Sequence, residues 1–269
     1  PPAPLSHDRA KNVPLSPSHP FLRRLGVTNE DGRPRPGMAS KLRQCQKFVE
    51  IVGSLVDAAV SAAGSAPPPS VIRTTDLGCG RGYLTFSLHS YLRDRHEGRR
   101  ARVISRGGEV RPKLVAETNG IAKGLGEGFD GLAFSEGTIE SVLLTNSKEG
   151  GRREGEEEDL LDVVIALHAC DTATDDALWS AVREKASIIV VAPCCHKEVR
   201  RQLDPFMAQA AQKDHVLADV LRHNIYRERI AETATDSIRA LLLEIAHYSV
   251  SVFEFIGGGH TSKNVMITA

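Results

Sequence analysis

Residues 71–84, VIRTTDLGCGRGYL, constrain the fold of this chain more than any other segment. They predict a short strand, a tight turn with three glycines, and the start of a helix. Glycine lets the backbone turn tightly and approach a ligand closely, and a helix N-terminus offers free N–H groups to that ligand. Asp76 stands at the carboxyl end of the strand, where open α/β sheets bind their ligands. The pattern departs from the dinucleotide fingerprint G-x-G-x-x-G, because Tyr83 occupies the position of its third glycine.

The composition limits the class of protein to which the chain can belong. Its 269 residues suit one large α/β domain with an extension, and an apolar fraction of 41% can build a full core. Lysine plus arginine and aspartate plus glutamate both number 34, so any nucleic-acid site has to be a local patch. The five cysteines lack the spacing of a secreted disulfide scaffold, which predicts reduced thiols in an intracellular, cytoplasmic protein.

Two further features bear on location. No apolar run approaches the ~20 residues of a membrane span, so we expect no membrane partner. The first residue is proline rather than methionine, which leaves a native leader and organelle targeting as an open expectation. The sequence carries no signal for an oligomeric state.

Strand and helix patterns alternate along the chain and predict a doubly wound α/β fold with a mostly parallel sheet. The predicted N-terminal extension at 1–39 is irregular, with a short helix at 20–27. The predicted helices are 40–63, 82–93, 111–124, 172–186 and 199–215, followed by a largely helical stretch at 216–245. The predicted strands are 71–77, 101–105, a third strand with its exit turn at 132–140, buried apolar strands within 160–171 and 187–197, and an antiparallel closing pair at 247–255 and 263–269. Residues 145–159 contain no apolar side chain and predict a flexible acidic insertion within a domain spanning 40–269.

The most basic stretch of the chain lies at residues 93–111. A solvated loop explains such a stretch on a neutral protein. The alternative is a local patch for RNA, formed by these arginines together with Lys197, Arg200 and Arg201.

The two buried strands are followed by chemically unusual residues, HACD at 168–171 and PCCH at 193–196. In a parallel sheet both strand ends lie on the side of the glycine turn, where ligands bind. One interpretation is catalytic: His168, Asp171 and His196 orient an acceptor, and one of them acts as general base. Imidazole suits that role because its unperturbed pKa of about 6.5 lies near working pH.

The cysteines of these segments leave other interpretations open. Cys194 or Cys195 could be a nucleophile that adds to a pyrimidine ring before methyl transfer to carbon, although two adjacent cysteines do not match the enzymes that use this strategy. Histidine and cysteine also bind zinc, but the C-C-H adjacency lacks the usual C-x2-C spacing, and we predict no metal site. Cys170 is best explained as a small buried hydrophobic residue.

Five segments carry a resemblance to a known family: DLGCGRGYLTFSL, ALHACDTATDDAL, VVAPCCHKEVR, RERIAETATDSIRALLLE and EFIGGGHTSKNVMI. They resemble a group of class I S-adenosylmethionine-dependent methyltransferases, which we call the HACD/PCCH group, over roughly residues 20–269 without the acidic insertion. The chain is more distantly similar to the tRNA 2′-O-methyltransferase of the acceptor stem and to the glutathione S-transferase C-terminal domain-containing protein.

The resemblance implies a fold and an activity. The fold is a Rossmann-like, mostly parallel seven-stranded sheet with an antiparallel closing pair and an N-terminal helical extension. The cofactor is S-adenosylmethionine, and RNA, either tRNA or rRNA, is the leading acceptor. A protein or small-molecule acceptor, or a non-catalytic cofactor-binding module, is the alternative.

The resemblance also implies a cofactor site. The matching positions are Asp76, Gly78, Gly80, Glu109, Thr138, Ile139 and His168. Asp76 serves the amino-acid end of the cofactor, and Glu109 takes the place of the acid that binds the ribose hydroxyls. Thr138 and Ile139 fall where methyltransferases contact adenine. His168 opens the fourth-strand motif, which lacks the D/N-P-P-Y/F of enzymes that methylate the adenine amino group.

Overall fold

The computed structural model describes residues 14–62, 68–96, 101–142, 160–167, 169, 171–212, 215–256 and 264–269. The elements in chain order are α1 (Pro20–Arg24), α2 (Ala39–Ala62), β1 (Val71–Leu77), α3 (Tyr83–His96), β2 (Arg102–Glu109), α4 (Pro112–Leu125), β3 (Leu132–Glu136), β4 (Leu160–Ala166), α5 (Thr172–Arg183), β5 (Ile188–Val191), α6 (Lys197–Ala210), α7 (Ala218–Leu221), α8 (Asn224–Ile245), β6 (Ser251–Glu254) and β7 (Val265–Thr268).

The strands form one seven-stranded sheet in the order β3-β2-β1-β4-β5-β7-β6. Strands β1 to β5 pair in parallel, and β7 is antiparallel to both of its neighbours. The predicted fold class is therefore confirmed, including the closing antiparallel pair. Because the chain leaves β1 toward β2 on one side and β4 lies on the other, a crevice opens at the carboxyl ends of β1 and β4.

Apolar side chains cover both faces of the sheet. Alternate residues of the central strands enter two separate clusters: Ile72 and Val163 belong to one, and Leu77 and Val164 belong to the other. Helices α1 to α4 contribute to the first cluster and α5 and α8 to the second. This two-sided burial explains why β4 and β5 are continuous apolar runs in the sequence. Among the described helices, none is both long enough and apolar enough to cross a bilayer.

The main difference from the predicted elements concerns β2. The predicted strand at 101–105 is too short, because β2 continues to Glu109. Glycine interrupts a strand pattern in a sequence, but here it makes room for neighbours. A Cβ atom on Gly107 would lie 2.4 Å from the Phe134 ring, and one on Gly108 would lie 2.8 Å from Val142.

The apolar runs after the acidic insertion are longer than the strands that they contain. β4 ends at Ala166 and β5 at Val191, so the chemically unusual residues follow the strands as loops. The predicted insertion at 145–159 and the first thirteen residues of the extension lie outside the described residues.

Candidate active site

The glycine turn joins the end of β1 to α3. Gly78, Gly80 and Gly82 all have positive φ angles, of 76°, 58° and 72°. The amides of Gly78 and Cys79 donate to the carbonyl of Gly108 over 2.9 and 3.0 Å, which fixes the turn against β2. A Cβ atom on Gly78 would meet nothing within 4 Å. The turn thus leaves open space at the carboxyl edge of the sheet.

Asp76 is the acid of this turn and is almost completely buried. Its Oδ2 accepts a hydrogen bond of 2.6 Å from the Thr85 hydroxyl. Burial raises the pKa of Asp76 to about 6, and the hydrogen bond from Thr85 only partly opposes this shift.

Glu109 ends β2 and lies beside the turn. A Cβ atom on Gly80 would lie 4.0 Å from its Oε2, so a larger residue there would occupy the space next to the carboxylate. Arg111 holds Glu109 through three donors: its backbone amide and Nε reach Oε1 over 3.0 and 2.8 Å, and Nη2 reaches Oε2 over 3.0 Å. The side-chain hydrogen bonds from Arg111 lower the pKa of Glu109, which keeps it ionised.

These residues line one cleft of about 480 Å³ at the carboxyl ends of β1 and β2, which we call the cofactor cleft. Its lining comprises Lys41, Asp76, Gly78, Cys79, Gly80, Arg81, Tyr83, Leu84, Glu109, Val110, Arg111 and Leu167. The structure therefore brings together four of the residues predicted to bind a cofactor, namely Asp76, Gly78, Gly80 and Glu109.

Thr138 and Ile139 do not line this cleft. They follow β3 at the same edge of the sheet, where Thr138 Oγ1 accepts a hydrogen bond from the Ser141 amide at the start of a helical turn. Ile139 packs against the second apolar cluster. Their contact with adenine stays a prediction. His168 lies outside the described residues, and so does Cys170.

The segments that follow β4 and β5 are neighbours, as expected for adjacent parallel strands. Asp171 Oδ1 accepts a hydrogen bond of 3.0 Å from the Glu198 amide at the N-terminus of α6. Asp171 itself has a φ of 57°, unusual for a residue other than glycine. Through this hydrogen bond, Asp171 links the loop after β4 to the N-terminus of α6. Asp171 does not line the cofactor cleft.

His196 is buried and also lies away from the cofactor cleft. Its Nε2 is 2.9 Å from Oδ1 of Asp236 in α8, and its Nδ1 has no hydrogen-bond partner among the described residues. Asp236 also accepts from Arg239, whose Nε in turn donates to Asp175 of α5 over 2.7 Å. Burial acts to lower the pKa of Arg239, but the contacts with Asp175 and Asp236 outweigh it and raise the pKa.

We call this set of residues, Asp171, Asp175, His196, Asp236 and Arg239, the strand-end network. A cleft of about 590 Å³ lies beside this network, between α8 and the β6–β7 pair, and we call it the second cleft. His196, Asp236 and Glu254 line this second cleft together with the half-exposed apolar side chains of Leu241 and Val252.

The adjacent cysteines lie in the loop after β5. The Sγ atoms of Cys194 and Cys195 are 3.7 Å apart, and neither residue is joined in a disulfide. Within the described ranges, no three histidine, cysteine, aspartate or glutamate side chains are grouped so that they could hold a metal ion.

Within the part of the chain that the structure describes, the predicted basic patch is not assembled as one surface. α3 runs from the carboxyl to the amino edge of the sheet, so Arg93 and Arg95 lie at the edge opposite the cofactor cleft. Arg95 pairs with Asp57, while Arg200 and Arg201 pair with acids of α8 and α6.

A different set of cations lies near the cofactor cleft. Arg24 lines a cleft of about 350 Å³ together with Arg81 and Tyr83, which also line the cofactor cleft. Arg23, Arg24 and Arg35 line a further cleft of about 430 Å³. We call this surface, formed by Arg23, Arg24, Arg35 and Arg81, the basic groove. Arg23 and Arg24 are exposed and make no ion pair with a described residue.

Sequence reasoning missed Lys41, Cys79 and Arg111 as lining residues of the cofactor cleft. Position alone could have suggested Arg111, because it lies two residues after the strand-end acid Glu109. Position could also have suggested Cys79, because it lies inside the glycine turn. No local signal marks Lys41, since α2 is placed against the sheet by packing between distant segments.

The residues of the cofactor cleft fit S-adenosylmethionine. Gly78 and Gly80 leave space that a side chain would fill, Asp76 offers an acid for an ammonium group, and Glu109 offers acceptors for hydroxyl groups. The seven-stranded sheet with this cleft at its carboxyl edge defines an S-adenosylmethionine-dependent methyltransferase fold. A family model described as a methyltransferase domain matches residues 40–202, more than half of the chain. The chain therefore belongs to this family of methyltransferase domains.

Three of the solved structures to which the chain is similar are as follows. DszA carbon methyltransferase is 14% identical with a TM-score of 0.47, and the match covers 86% of this chain and 54% of that one. WbdD, solved with a kinase inhibitor, is 20% identical with a TM-score of 0.36, covering 55% and 29% of the two chains. TrmK of M. capricolum, solved with S-adenosylhomocysteine, is 14% identical with a TM-score of 0.32, covering 53% and 52%. The match thus spans about half or less of each of these relatives. No curated protein matches the chain.

Proposed function

We propose that this chain transfers a methyl group from S-adenosylmethionine to RNA. The observation that carries the proposal is the cofactor cleft, where Asp76, Gly80 and Glu109 converge from β1, the turn and β2. In this proposal Asp76 and Glu109 bind the two ends of the cofactor, and the turn passes beneath its ribose. Thr138, Ile139 and His168 are proposed as further contacts.

S-adenosylmethionine supplies an activated methyl group, so the chain has to align the acceptor with it and exclude water. Positioning of this kind can contribute a large share of a rate enhancement. Both clefts open at the carboxyl edge, and His196 and Asp236 of the strand-end network line the second of them. We propose that His168, Asp171 and His196 act there, with an imidazole holding the acceptor or taking its proton.

The basic groove supports RNA, a tRNA or rRNA, as the acceptor. It adjoins the cofactor cleft through Arg81 and Tyr83, and Arg23 and Arg24 have no described counter-ion. Phosphates are bound by such cations, and an aromatic ring that is partly exposed, as Tyr83 is, can stack on a base. The resemblance to the HACD/PCCH group and to a tRNA methyltransferase points the same way.

A small-molecule or protein acceptor is the second candidate, and the second cleft favours it. This cleft combines the acids Asp236 and Glu254 with apolar walls, a lining that suits a compact ligand carrying an amine or other donor.

The experiment is methyl transfer from labelled S-adenosylmethionine to total cellular RNA, followed by mass spectrometry of the nucleosides. Arg24→Glu should weaken RNA binding severalfold and flatten its dependence on salt, because a phosphate contact is lost. Arg102→Glu, exposed at the opposite edge of the sheet, is the matched control and should change neither. Label transferred to protein or to small molecules, and not to RNA, would favour the second candidate.

A further inference from the structure

A lysine from outside the sheet lines the cofactor cleft. Lys41 lies in the first turn of α2, and its side chain is half-buried in the wall of the cleft. α2 runs alongside α3 in the same direction: Cys45 Sγ is 3.9 Å from the Tyr83 carbonyl oxygen, and Asp57 pairs with Arg95 near the far end. Lys41 comes one turn before Cys45. The helix pairing therefore carries Lys41 past the N-terminus of α3, to the carboxyl edge of the sheet.

The position of α2 also decides at which end of the cleft Lys41 lies. α2 contacts β5 as well as α3, so it covers the side of the sheet that holds β4 and β5. Glu109 ends β2, on the other side of β1. Lys41 and Glu109 are thus at opposite ends of the cleft, with Asp76 between them.

Lys41 has no ion pair with any residue that the structure describes. Its ammonium donates to Oε1 of Gln44 and lies 5.4 Å from the centre of the Tyr83 ring. Burial lowers the pKa of Lys41, because removal from water disfavours the charged form. A half-buried cation without a counter-ion is stabilised when an anionic group enters the cleft beside it.

We propose that Lys41 binds the carboxylate of the amino-acid group of S-adenosylmethionine, while Asp76 binds the ammonium of the same group. The inference rests on the proposed cofactor cleft and adds the part of the ligand that each end recognises. The amino-acid group of the cofactor carries both charges. The cleft offers one residue of each opposite sign, Lys41 at the end away from Glu109 and Asp76 between the two. An N-terminal helix outside the sheet would then complete the cofactor site.

The test compares two ligands that differ in one group. Calorimetry measures the affinity of S-adenosylmethionine and of decarboxylated S-adenosylmethionine, which lacks only the carboxylate. Lys41→Met should weaken S-adenosylmethionine roughly tenfold to a hundredfold, the range for a hydrogen bond to a charged group. The same substitution should change the affinity of the decarboxylated ligand by less than about twofold, because that ligand has nothing for the lysine to bind.

Two further variants separate this role from a structural one. Lys41→Arg keeps the charge and should retain most of the affinity for S-adenosylmethionine. Lys47→Met removes a lysine from the exposed face of the same helix, where it pairs with Glu50, and should affect neither ligand. Equal losses for both ligands in Lys41→Met, or no loss for either, would overturn the inference. A wild-type chain that binds neither ligand would instead overturn the proposed function, and with it this inference.

Discussion

The charge of Asp76 lowers the stability of the free protein, but the proposed function needs that charge. Its carboxyl is almost completely buried, with one hydrogen bond from Thr85 and no described cation at contact distance. Burial raises its pKa from 3.8 to about 6, so holding the charge at neutral pH costs folding free energy. An ammonium group in the cleft would offset that cost, which explains why a binding site retains a residue that is unfavourable in the free chain.

Asp76→Asn should therefore stabilise the free protein at pH 8 while it weakens cofactor binding. Between pH 4 and 6 the folded state holds the Asp76 proton and the unfolded state loses it, so the unfolding free energy of the wild type falls as pH rises. The asparagine variant lacks this fall. Urea unfolding should show it more stable by up to about 3 kcal/mol at pH 8 and equal near pH 3.5. A variant that is less stable than the wild type at pH 8 would contradict this account.

Glu109 differs from Asp76 because its charge is already compensated by Arg111. Two carboxylate oxygens have about four acceptor sites, and Arg111 fills three of them, so Glu109 can accept one ribose hydroxyl beside Arg111. Glu109→Ala should weaken S-adenosylhomocysteine about tenfold or more in calorimetry, since a charged acceptor is lost. Glu136→Ala, the exposed residue paired with Glu109 in β3, is the control and should have little effect. An effect of Glu109→Ala below twofold would assign the ribose to another residue.

At the scale of elements, one ion pair joins the two strands that flank the crevice. Arg73 of β1 and Asp162 of β4 stand opposite each other in the register and form a two-pronged pair that is largely buried. Removing one partner of a buried pair leaves an uncompensated charge, whereas replacing both by apolar residues of similar size can be neutral.

Arg73→Met should lower the unfolding free energy by about 3–5 kcal/mol, because Asp162 is left without its partner. The double variant Arg73→Met/Asp162→Leu should recover most of this loss. Urea unfolding of the wild type and the single and double variants measures both effects. A double variant as unstable as Arg73→Met would show that the strands need the pair itself.

The elements show how far a sequence can be interpreted. Periodicity and the glycine turn predict the sheet and its helices, because apolar spacing records which faces are buried. They fail for β2 beyond residue 105, where Gly107 is explained by the Phe134 ring rather than by a break in the strand. They also do not predict that His196 contacts Asp236 or that Lys41 lines the cofactor cleft, because α8 and α2 bring residues together that are distant in sequence. The carboxyl edge was predictable, but the distribution of its residues between two clefts was not.

At the scale of the whole molecule, the cofactor cleft and the second cleft both lie along the carboxyl edge of the sheet and differ in chemistry. The cofactor cleft lies at the carboxyl ends of β1 and β2, and the second cleft lies beyond β5, between α8 and the β6–β7 pair. His196 lines only the second, and its contact with Asp236 fixes the imidazole from one side. His196 therefore lies away from the cofactor cleft. A substitution of His196 should affect methyl transfer without affecting cofactor affinity, so the two quantities can be measured independently.

His196→Ala should lower turnover by about 10²-fold, in the range of positioned acid–base groups, while the affinity for S-adenosylhomocysteine changes little. Asp236→Asn should lower turnover less, because the imidazole of His196 loses the carboxylate that orients it but remains in place. Cys194→Ser and Cys195→Ser should each retain most activity, because in this proposal an imidazole rather than a thiol takes the proton. Single-turnover methyl transfer to the identified acceptor, with unfolding curves to confirm folding, measures these differences. If a folded serine variant binds cofactor and acceptor but transfers no methyl group, a cysteine is the nucleophile and His196 is not the base.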